Sequence, residues 1–241
     1  MAENPLHAAL KAWYARPEDE IEVRFEGYII DVKRGDTLIE IQTQSFSSIK
    51  AKLLDLVPRH PVRLVYPIAQ DRWLVKVDSD RTTVLERRKS PKHERLIAVF
   101  NELIRFPTLL AEPNLTLELV VIQEEEVRYH DPTRRSRRSW RRRGWRTQER
   151  RLVDVLASHR YERPADLAAL LPASLRDPQA EPFTTTDLAA ALNTQRRLAQ
   201  KMAYCLRKSK VLTLVGKRRN AHLYRLALFP EQDLPMISLG S

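Results

Sequence analysis

The order of hydrophobic patterns between residues 20 and 77 constrains this chain to a mixed α and β architecture. Residues 20–32 (EIEVRFEGYIIDV) and 37–43 (TLIEIQT) are rich in β-branched side chains, and the KRGD run at 33–36 separates them, which predicts a β-hairpin. Residues 46–57 (FSSIKAKLLDLV) place apolar side chains on one helical stripe, and two strand-like runs follow, PVRLVYPI and DRWLVKV. A strand, a helix of about a dozen residues and a further strand predict a parallel crossover within one mixed sheet.

Composition shifts divide the chain into three parts and a tail. The predicted parts are residues 1–80, a first domain that opens with a helix over 5–15; residues 81–146, a connector with a helix over 92–105, a strand over 115–122 and a basic tract; residues 147–230, a second domain; and residues 231–241, a tail. The second domain is predicted to begin with a helix that contains Leu152, Val155 and Leu156, and to end with a hairpin. The expected fold class is α+β or α/β.

Charge is unevenly distributed along the 241 residues. Lys and Arg number 42 against 31 Asp and Glu, a net charge of +11, and the pI is about 10.0. Residues 1–80 hold 11 basic and 13 acidic side chains, a net of −2, so residues 81–241 carry +13. This excess favours a polyanionic partner, and we expect DNA, with RNA as the alternative. Since no apolar run approaches the roughly 18 residues of a spanning helix, we expect a cytoplasmic protein with no membrane partner.

The basic charge is concentrated in residues 134–151 (RRSRRSWRRRGWRTQERR), which contain ten arginines and one glutamate. Guanidinium groups bind phosphates with paired donors, and indole rings stack on bases or sugars. The candidate nucleic-acid contacts here are Arg137, Arg138, Trp140, Arg141, Arg142, Arg143 and Trp145. A solvated basic tract or a localisation-type signal is the alternative interpretation. The single cysteine, Cys205, and the six histidines lack zinc-ligand spacing, which excludes a structural zinc finger.

Two carboxylates in the predicted hairpin form a candidate metal site. If the hairpin turns around Arg34 and Gly35, Asp31 faces Leu38, and Asp31, Glu40 and Gln42 project from one side of the sheet. Two carboxylates on diagonal positions can converge on one divalent cation, and hard oxygen ligands suit Mg²⁺ or Mn²⁺. A solvated acidic face is the alternative.

The segment from residue 5 to residue 78 resembles the PD-(D/E)XK nuclease superfamily. YIIDV supplies the Asp of the motif as Asp31, and IEIQ supplies the Glu as Glu40. Gln42 stands where the superfamily usually has Lys, and some restriction endonucleases of the superfamily also carry Gln there. The resemblance implies a restriction-endonuclease-like mixed sheet with flanking helices. It also implies hydrolysis of phosphodiester bonds with Mg²⁺ or Mn²⁺ held by Asp31 and Glu40, helped by Gln42, and with Gln44 or Lys50 as further candidates.

The second domain, residues 147–230, looks like a C-terminal winged helix-turn-helix domain, with helices from Thr147, Thr184 and Gln195 and a final hairpin. Leu198, Met202 and Leu206 recur at intervals of four in a helix and are expected to pack inward. The opposite face of the same helix would meet a DNA groove, and the tip of the following hairpin would meet a phosphate backbone. The candidate contacts are Arg197, Lys201, Tyr204 and Lys208 on the helix, and Lys217, Arg218 and Arg219 at the tip.

Together these patterns predict a metal-dependent DNA endonuclease in which the basic domain delivers DNA to Asp31 and Glu40. The arrangement is similar to the endonuclease subunits of certain heteromeric transposases, and a restriction or anti-phage nuclease is equally open. One alternative is a catalytically inactive, nuclease-fold DNA-binding regulator, which the neutral Gln42 favours. Another is an RNA-binding protein that uses the arginine and tryptophan tract. A homodimer or a partner subunit is compatible with each of these.

Overall fold

The computed structural model describes residues 4–131 and 144–229. The helices are α1 (Pro5–Tyr14), α2 (Lys50–Leu56), α3 (Phe100–Leu103), α4 (Thr185–Ala191) and α5 (Arg196–Lys208), with 3₁₀ helices at Leu96–Val99, Leu109–Ala111, Pro164–Leu170 and Ala173–Leu175. The strands are β1 (Glu20–Phe25), β2 (Tyr28–Arg34), β3 (Thr37–Ile41), β4 (Val62–Val77), β5 (Val84–Lys89), β6 (Leu115–His130), β7 (Trp145–Tyr161), β8 (Leu212–Arg218) and β9 (Ala221–Leu226). Within the described ranges, no helix is long and apolar enough to cross a membrane.

Seven strands form one mixed sheet in the order β1-β2-β3-β4-β6-β7, and β5 pairs with the distal half of β4. The strands β1, β2 and β3 form an antiparallel meander, which confirms the predicted hairpin. β3 and β4 are parallel and α2 connects them, which confirms the predicted crossover. β4 is also parallel to β6, while β6 and β7 are antiparallel. The fold is therefore a mixed α and β structure with a large mixed sheet and flanking helices.

The two faces of the sheet are covered by different helices. On one face, α1 buries Leu6 and Leu10 against Val32, Ile39 and other residues of the central strands. Asn4 caps the start of α1 by accepting a hydrogen bond from the amide of Leu6 at 3.1 Å, and Pro5 occupies the first helical position, as expected at a helix start. On the other face, Leu53 of α2 packs in a larger core that extends into the C-terminal elements. The central strands are thus buried on both sides.

The prediction of a helix that contains Leu152, Val155 and Leu156 is wrong, because residues 145–161 form strand β7. β6 is mostly buried and pairs with β4 along one edge, so its other edge needs a partner for its backbone N–H and C=O groups. β7 supplies that partner along nearly its whole length. This requirement outweighs the weak helical spacing of the leucines and valines in β7.

Other predicted boundaries also shift. The two strand-like runs after residue 61 form the single strand β4, with an irregularity between Ala69 and Asp71. The predicted strand over 115–122 extends to His130, and the predicted helix over 92–105 is a 3₁₀ turn followed by the short α3. The predicted boundary at residue 80 falls between β4 and β5 of the same sheet, and the sheet continues to Tyr161.

The C-terminal elements follow the sheet and share its core. Thr184 caps α4 in a capping box with Asp187, and a short turn leads into α5. Met202 of α5 is fully buried in the cluster that also contains Leu53 of α2. The hairpin β8–β9 follows, and Phe183 pairs with Tyr224 of β9 as an isolated bridge.

A buried ion network ties three long strands together. Glu124 of β6 has no exposed surface and accepts hydrogen bonds from Arg72 of β4 at 2.5 Å and from Arg150 of β7 at 2.5 and 2.9 Å. Arg150 also donates to the carbonyl oxygen of Thr43, just beyond the end of β3, at 3.0 Å. Because a buried carboxylate needs charged partners, these contacts stabilise Glu124 in the interior.

We expect Arg150→Met to lower the free energy of unfolding by about 3 kcal/mol, because it removes one partner of a buried carboxylate. The matched control is Arg151→Met, since the Arg151 side chain is about half exposed and pairs with Glu149 at the surface. Its expected loss is less than about 0.5 kcal/mol. Urea denaturation followed by tryptophan fluorescence measures both. Equal losses for the two variants would show that the network does not stabilise the sheet.

Candidate functional site

The candidate site lies where β2 and β3 separate. The ladder between these strands pairs Arg34 with Thr37 and ends at Val32 and Ile39. Immediately beyond that pair, the carboxylate of Asp31 accepts a hydrogen bond from the backbone amide of Ile41 at 2.8 Å. The side chain of Asp31 therefore takes a backbone donor of β3 at the point where the two strands part.

The predicted hairpin register is wrong by two residues. Gly35 and Asp36 form the turn, and Gly35 adopts a left-handed φ of +55°, so the turn is centred one residue later than predicted. In this register Lys33, rather than Asp31, pairs with Leu38. Asp31 and Glu40 then occupy the next opposing positions of the two strands. The shift brings the two carboxylates closer in register than the prediction had them.

Glu40 is buried among apolar residues and has a cationic neighbour. Only 3% of the residue is exposed, and its paired residue on β4, Leu64, has no exposed surface. The ammonium group of Lys52, from α2, contacts Oε1 of Glu40 and also donates a hydrogen bond to the carbonyl oxygen of Ile29 at 2.5 Å. Lys52 thus links the crossover helix to both strands of the site.

Asp31 is paired with a histidine from the other face of the sheet. Nε2 of His7, in the first turns of α1, lies 3.2 Å from Oδ2 of Asp31. Both side chains are about four-fifths buried. The site therefore combines groups from α1, β2, β3 and α2.

The two carboxyl groups have opposite pKa shifts. Burial and, to a smaller extent, the charge of Asp31 raise the pKa of Glu40 to about 7, against the opposing effect of the Lys52 ammonium. Burial also raises the pKa of Asp31, but the hydrogen bonds from His7 and from the Ile41 amide together hold it below its usual range. Asp31 is therefore ionised at neutral pH, whereas Glu40 changes charge near neutrality. Carboxyl pairs with separated pKa values are common at functional sites.

Gln42 lies beside this group of residues, but its amide is engaged elsewhere. Nε2 donates to the carbonyl oxygen of Ser45 at 2.7 Å and to Oγ of Ser48 at 2.6 Å. Lys50 and Gln44 are exposed. The cation beside Glu40 is Lys52, which the sequence interpretation did not select. The available signal was its position three residues after the buried Ile49 and four before the buried Leu56, beside the apolar stripe of α2.

The donor set fits a hard divalent cation such as Mg²⁺ or Mn²⁺. Asp31 and Glu40 offer carboxylate oxygens, and Mg²⁺ is commonly bound by one or two carboxylates together with water and substrate phosphates. Across residues 4–131 and 144–229, no group of three or more His, Cys, Asp and Glu side chains is arranged to hold a metal. A cation here would therefore take these two carboxylates together with other oxygens, such as those of backbone carbonyls, water or a phosphate.

Exposed cationic side chains line α5. Arg197, Tyr204 and Lys208 are exposed, as predicted, while Lys201 is half-buried and donates to Oδ1 of Asn101 at 2.8 Å. Arg196 and Arg207 are also exposed on this helix, and the sequence interpretation did not include them. The sequence of α5 contains no acidic residue. Met202 and Leu206 are buried as predicted, and Leu198 is half-buried.

The other predicted nucleic-acid contacts fall into three groups. Lys217 and Arg219 are exposed at the end of the β8–β9 hairpin, while Arg218 is ion-paired with Asp187 at 2.6 Å. Trp145 is half-buried at the start of β7, where its ring packs edge-on against His130 and lies 5.1 Å from the ammonium of Lys76. The remaining six, Arg137, Arg138, Trp140, Arg141, Arg142 and Arg143, lie outside the described residues.

A family model described as "Domain of unknown function (DUF8091)" matches residues 4–162. The chain belongs to the DUF8091 family. The DUF8091 match ends one residue after β7, so it covers the whole seven-stranded sheet and stops before the C-terminal elements. An uncharacterized protein of Treponema pallidum (strain Nichols) is 32% identical over 227 residues, covering 92% of this chain and 85% of its own length. The similarity to that relative therefore extends beyond the DUF8091 domain. No solved structure matches the chain.

The raised pKa of Glu40 predicts a specific dependence of stability on pH. Since the folded protein holds the Glu40 proton up to about pH 7, against an ordinary value of 4.5, this contribution is complete below pH 4.5 and is lost as the pH rises to about 7. Relative to Glu40→Gln, the wild-type free energy of unfolding should fall by about 3 kcal/mol across this interval in metal-free buffer. Urea denaturation at a series of pH values measures the difference. The exposed-site control Glu112→Gln should follow the wild type, and parallel wild-type and Glu40→Gln curves would contradict the prediction.

Proposed function

We propose that this protein is a metal-dependent nuclease that hydrolyses phosphodiester bonds in DNA. The observation that carries the proposal is the placement of Asp31 and Glu40 where β2 and β3 part, with the ammonium of Lys52 against Glu40. Two carboxylates and one cation at such a point are the groups that the PD-(D/E)XK resemblance requires. In this chain the cation comes from α2 rather than from position 42.

The order of elements in the sheet supports the proposal. The resemblance implies a helix, a hairpin whose strands carry the Asp and the Glu, a crossover helix and a further strand, and α1, β2, β3, α2 and β4 follow in that order. The strand β1 is an addition that pairs with β2. Agreement between the motif spacing and the topology is a stronger reason for the proposal than either feature alone.

Each residue of the site has a chemical role in this proposal. Asp31, already ionised, and Glu40, once its proton is lost, bind the divalent cation with carboxylate oxygens. A divalent cation held there would supply Lewis-acid chemistry for hydrolysis of the phosphodiester. Lys52 moves from Glu40 towards the scissile phosphate, where its ammonium orients the attacking water and stabilises the developing negative charge. His7 keeps Asp31 ionised and oriented.

The C-terminal elements are proposed to bind the DNA duplex as a winged helix. The element order after residue 180 is a bridging strand residue at Phe183, then α4, α5 and the hairpin β8–β9. The exposed face of α5 carries basic residues and no acidic ones, which suits a helix that enters a groove between phosphate backbones. Lys217 and Arg219 at the end of the hairpin are placed to contact an adjacent backbone.

A DNA-binding regulator with an inactive nuclease fold is the second candidate. It is favoured by the ion pair between Lys52 and Glu40 and by the contact between His7 and Asp31, which give each carboxylate a neighbour within the protein. The two candidates share the same DNA-binding surface. They differ in whether DNA is cut, so a cleavage assay separates them.

Substitution of the carboxylate should abolish cleavage without abolishing DNA binding. Purified wild-type protein is incubated with supercoiled and linear DNA and Mg²⁺ or Mn²⁺, beside Glu40→Ala and the control Glu112→Ala, which removes an exposed carboxylate far along the chain. We expect Glu40→Ala to cut at least about a hundredfold more slowly, since the metal supplies several kcal/mol of transition-state stabilisation. Intact DNA with both the wild type and Glu40→Ala, across both metals, would favour the regulator.

The role of Lys52 has a matched control on the same helix. Lys52→Ala should lower the cleavage rate about a hundredfold because it removes a cation from the developing charge. Lys50→Ala, which changes an exposed lysine two residues earlier, should cut like the wild type. Single-turnover cleavage measures both rates. If the two variants cut equally well, Lys52 does not replace the lysine of the motif.

Binding by α5 should be electrostatic. The double variant Arg197→Ala with Lys208→Ala removes two exposed cations, so we expect weaker binding at every DNA sequence and a salt dependence of log K that is less steep by about two. Fluorescence anisotropy with labelled duplex at several salt concentrations measures both quantities. Arg24→Ala, an exposed change on edge strand β1, is the control and should retain wild-type binding. An unchanged salt dependence in the double variant would exclude α5 from the interface.

A further inference from the structure

The loop between β3 and α2 is held by a carboxylate from α3. Oε2 of Glu102 accepts a hydrogen bond from the backbone amide of Phe46 at 2.9 Å and another from Oγ of Ser45 at 3.1 Å. The Glu102 side chain is about four-fifths buried. A carboxylate that accepts a backbone amide forms a strong, charge-assisted hydrogen bond. Glu102, which is 56 residues from Phe46 in sequence and lies outside the β1–β3 meander, therefore fixes the start of this loop.

The same loop is bonded to the end of β3. Nε2 of Gln42 donates to the carbonyl oxygen of Ser45 and to Oγ of Ser48, and the amide of Gln42 continues the ladder by donating to the carbonyl oxygen of Val65 at 2.9 Å. Gln42 stands two residues after Glu40. Hydrogen bonds of 2.6 to 3.1 Å thus connect the strand that carries Glu40 to the loop, and the loop to Glu102.

Aromatic packing makes this connection rigid. Phe46 is fully buried, stacks on Phe106 with ring centroids 5.4 Å apart, and meets Tyr66 edge-on at 4.9 Å. Phe106 follows α3 by three residues, so the ring contact and the Glu102 hydrogen bond join the same two segments. The hydrogen bond to Glu102 and the ring packing on Phe106 together restrict both the distance and the relative rotation between the loop and the α3 segment.

On its other side, α3 contacts the basic helix α5. Nζ of Lys201 donates to Oδ1 of Asn101 at 2.8 Å, and Asn101 is the neighbour of Glu102 in α3. Phe100 and Leu103 of α3 are buried in the same apolar cluster as Met202 of α5. The helix α3 therefore lies between α5 and the loop that follows β3.

We propose that Glu102 is a positioning residue that holds the strand bearing Glu40 in a fixed relation to α5. This inference rests on the proposed function for its consequence, that DNA bound by α5 is held in register with the cutting site. When bound DNA restricts the motion of α5, the hydrogen bond between Lys201 and Asn101 also restricts α3. The hydrogen bonds to Glu102 then restrict the loop. Gln42 completes the connection to β3. Glu102 touches neither metal nor substrate.

The first test compares substitutions of Glu102 in the cleavage assay. Glu102→Ala removes the acceptor for the Phe46 amide, and we expect kcat to fall by about tenfold to a hundredfold with an unchanged KM for DNA, because misplacement of a catalytic group slows the chemical step. Glu102→Gln keeps an oxygen acceptor and should retain most of the wild-type kcat. Glu112→Ala is the control for loss of a glutamate. Thermal unfolding of each variant shows whether it is folded at the assay temperature.

A general loss of structure would change this pattern. If Glu102 only stabilises the fold, kcat divided by the folded fraction of each variant should equal the wild-type kcat. If Glu102→Ala cuts like the wild type while Glu40→Ala is inactive, the positioning role is wrong and the proposed nuclease function stands.

The second test does not depend on cleavage. Hydrogen exchange at the Phe46 amide is measured with and without a duplex DNA in metal-free buffer, in the wild type and in Asn101→Ala, which changes an exposed side chain on α3. DNA should slow exchange at Phe46 in the wild type, because restraint of α3 makes the bond to Glu102 open less often. Asn101→Ala should lose most of this protection while retaining its folded stability.

Exchange at Phe46 that is unaffected by DNA in the wild type would overturn the inference. Protection that is equal in the wild type and in Asn101→Ala would also overturn it, since it would show that the restraint does not pass through Asn101. Protection in the wild type alone would support the connection even if neither the wild type nor Glu40→Ala cuts DNA. In that case the proposed nuclease function fails and the mechanical link between α5 and β3 remains.

Discussion

Strand β4 is the structural element on which the rest of the protein depends. It is parallel to β3 along one edge and to β6 along the other, and its distal half also pairs with β5. Because its backbone donors and acceptors are satisfied on both edges, β4 fixes the register of β3 relative to β6. Glu40 is level with Leu64 of β4, and Leu64 is level with Leu117 of β6. The candidate site therefore has a defined position in the sheet, set by backbone pairing.

The cost of placing charge within this sheet is offset by pairing each buried acid with cations. Glu124 binds Arg72 and Arg150, and Glu40 contacts Lys52. The two cases differ in their consequences. Glu124 has two arginines and lies in the interior of three long strands, so its ion network is structural. Glu40 has one flexible lysine at the rim, and a lysine ammonium can leave its partner at lower cost than a bidentate guanidinium.

The sequence was sufficient to predict local elements and insufficient to predict contacts between distant ones. The hairpin, the crossover helix α2 and the amphipathic α5 follow from periodicities within single segments. The register of the hairpin depends on a one-residue difference in the turn at Gly35, which the hydrophobic pattern does not encode. Strand β7 was predicted as a helix because its strand conformation depends on β6, a partner that the local pattern of residues 145–161 does not reveal. For the same reason Asp31 and Glu40 could be selected by motif, whereas His7 and Lys52 required knowledge of which helices face the two carboxylates.

The length of β6 sets the distance between the candidate site and the far end of the sheet, which can be compared with the length of a nucleic acid. Leu117 lies level with the candidate site, and His130 pairs with Trp145 thirteen residues further along the strand. At about 3.3 Å per residue, the end of this hairpin lies about 40 Å from Glu40, measured along the strand. Residues 134–143 of the arginine-rich tract follow β6 in the sequence, and residues 145–151 of the tract lie in β7. At about 3.4 Å per base pair, 40 Å corresponds to roughly 12 base pairs, more than one turn of a B-form duplex. Under the proposed function, the sheet between Glu40 and His130 is therefore longer than one turn of a bound duplex.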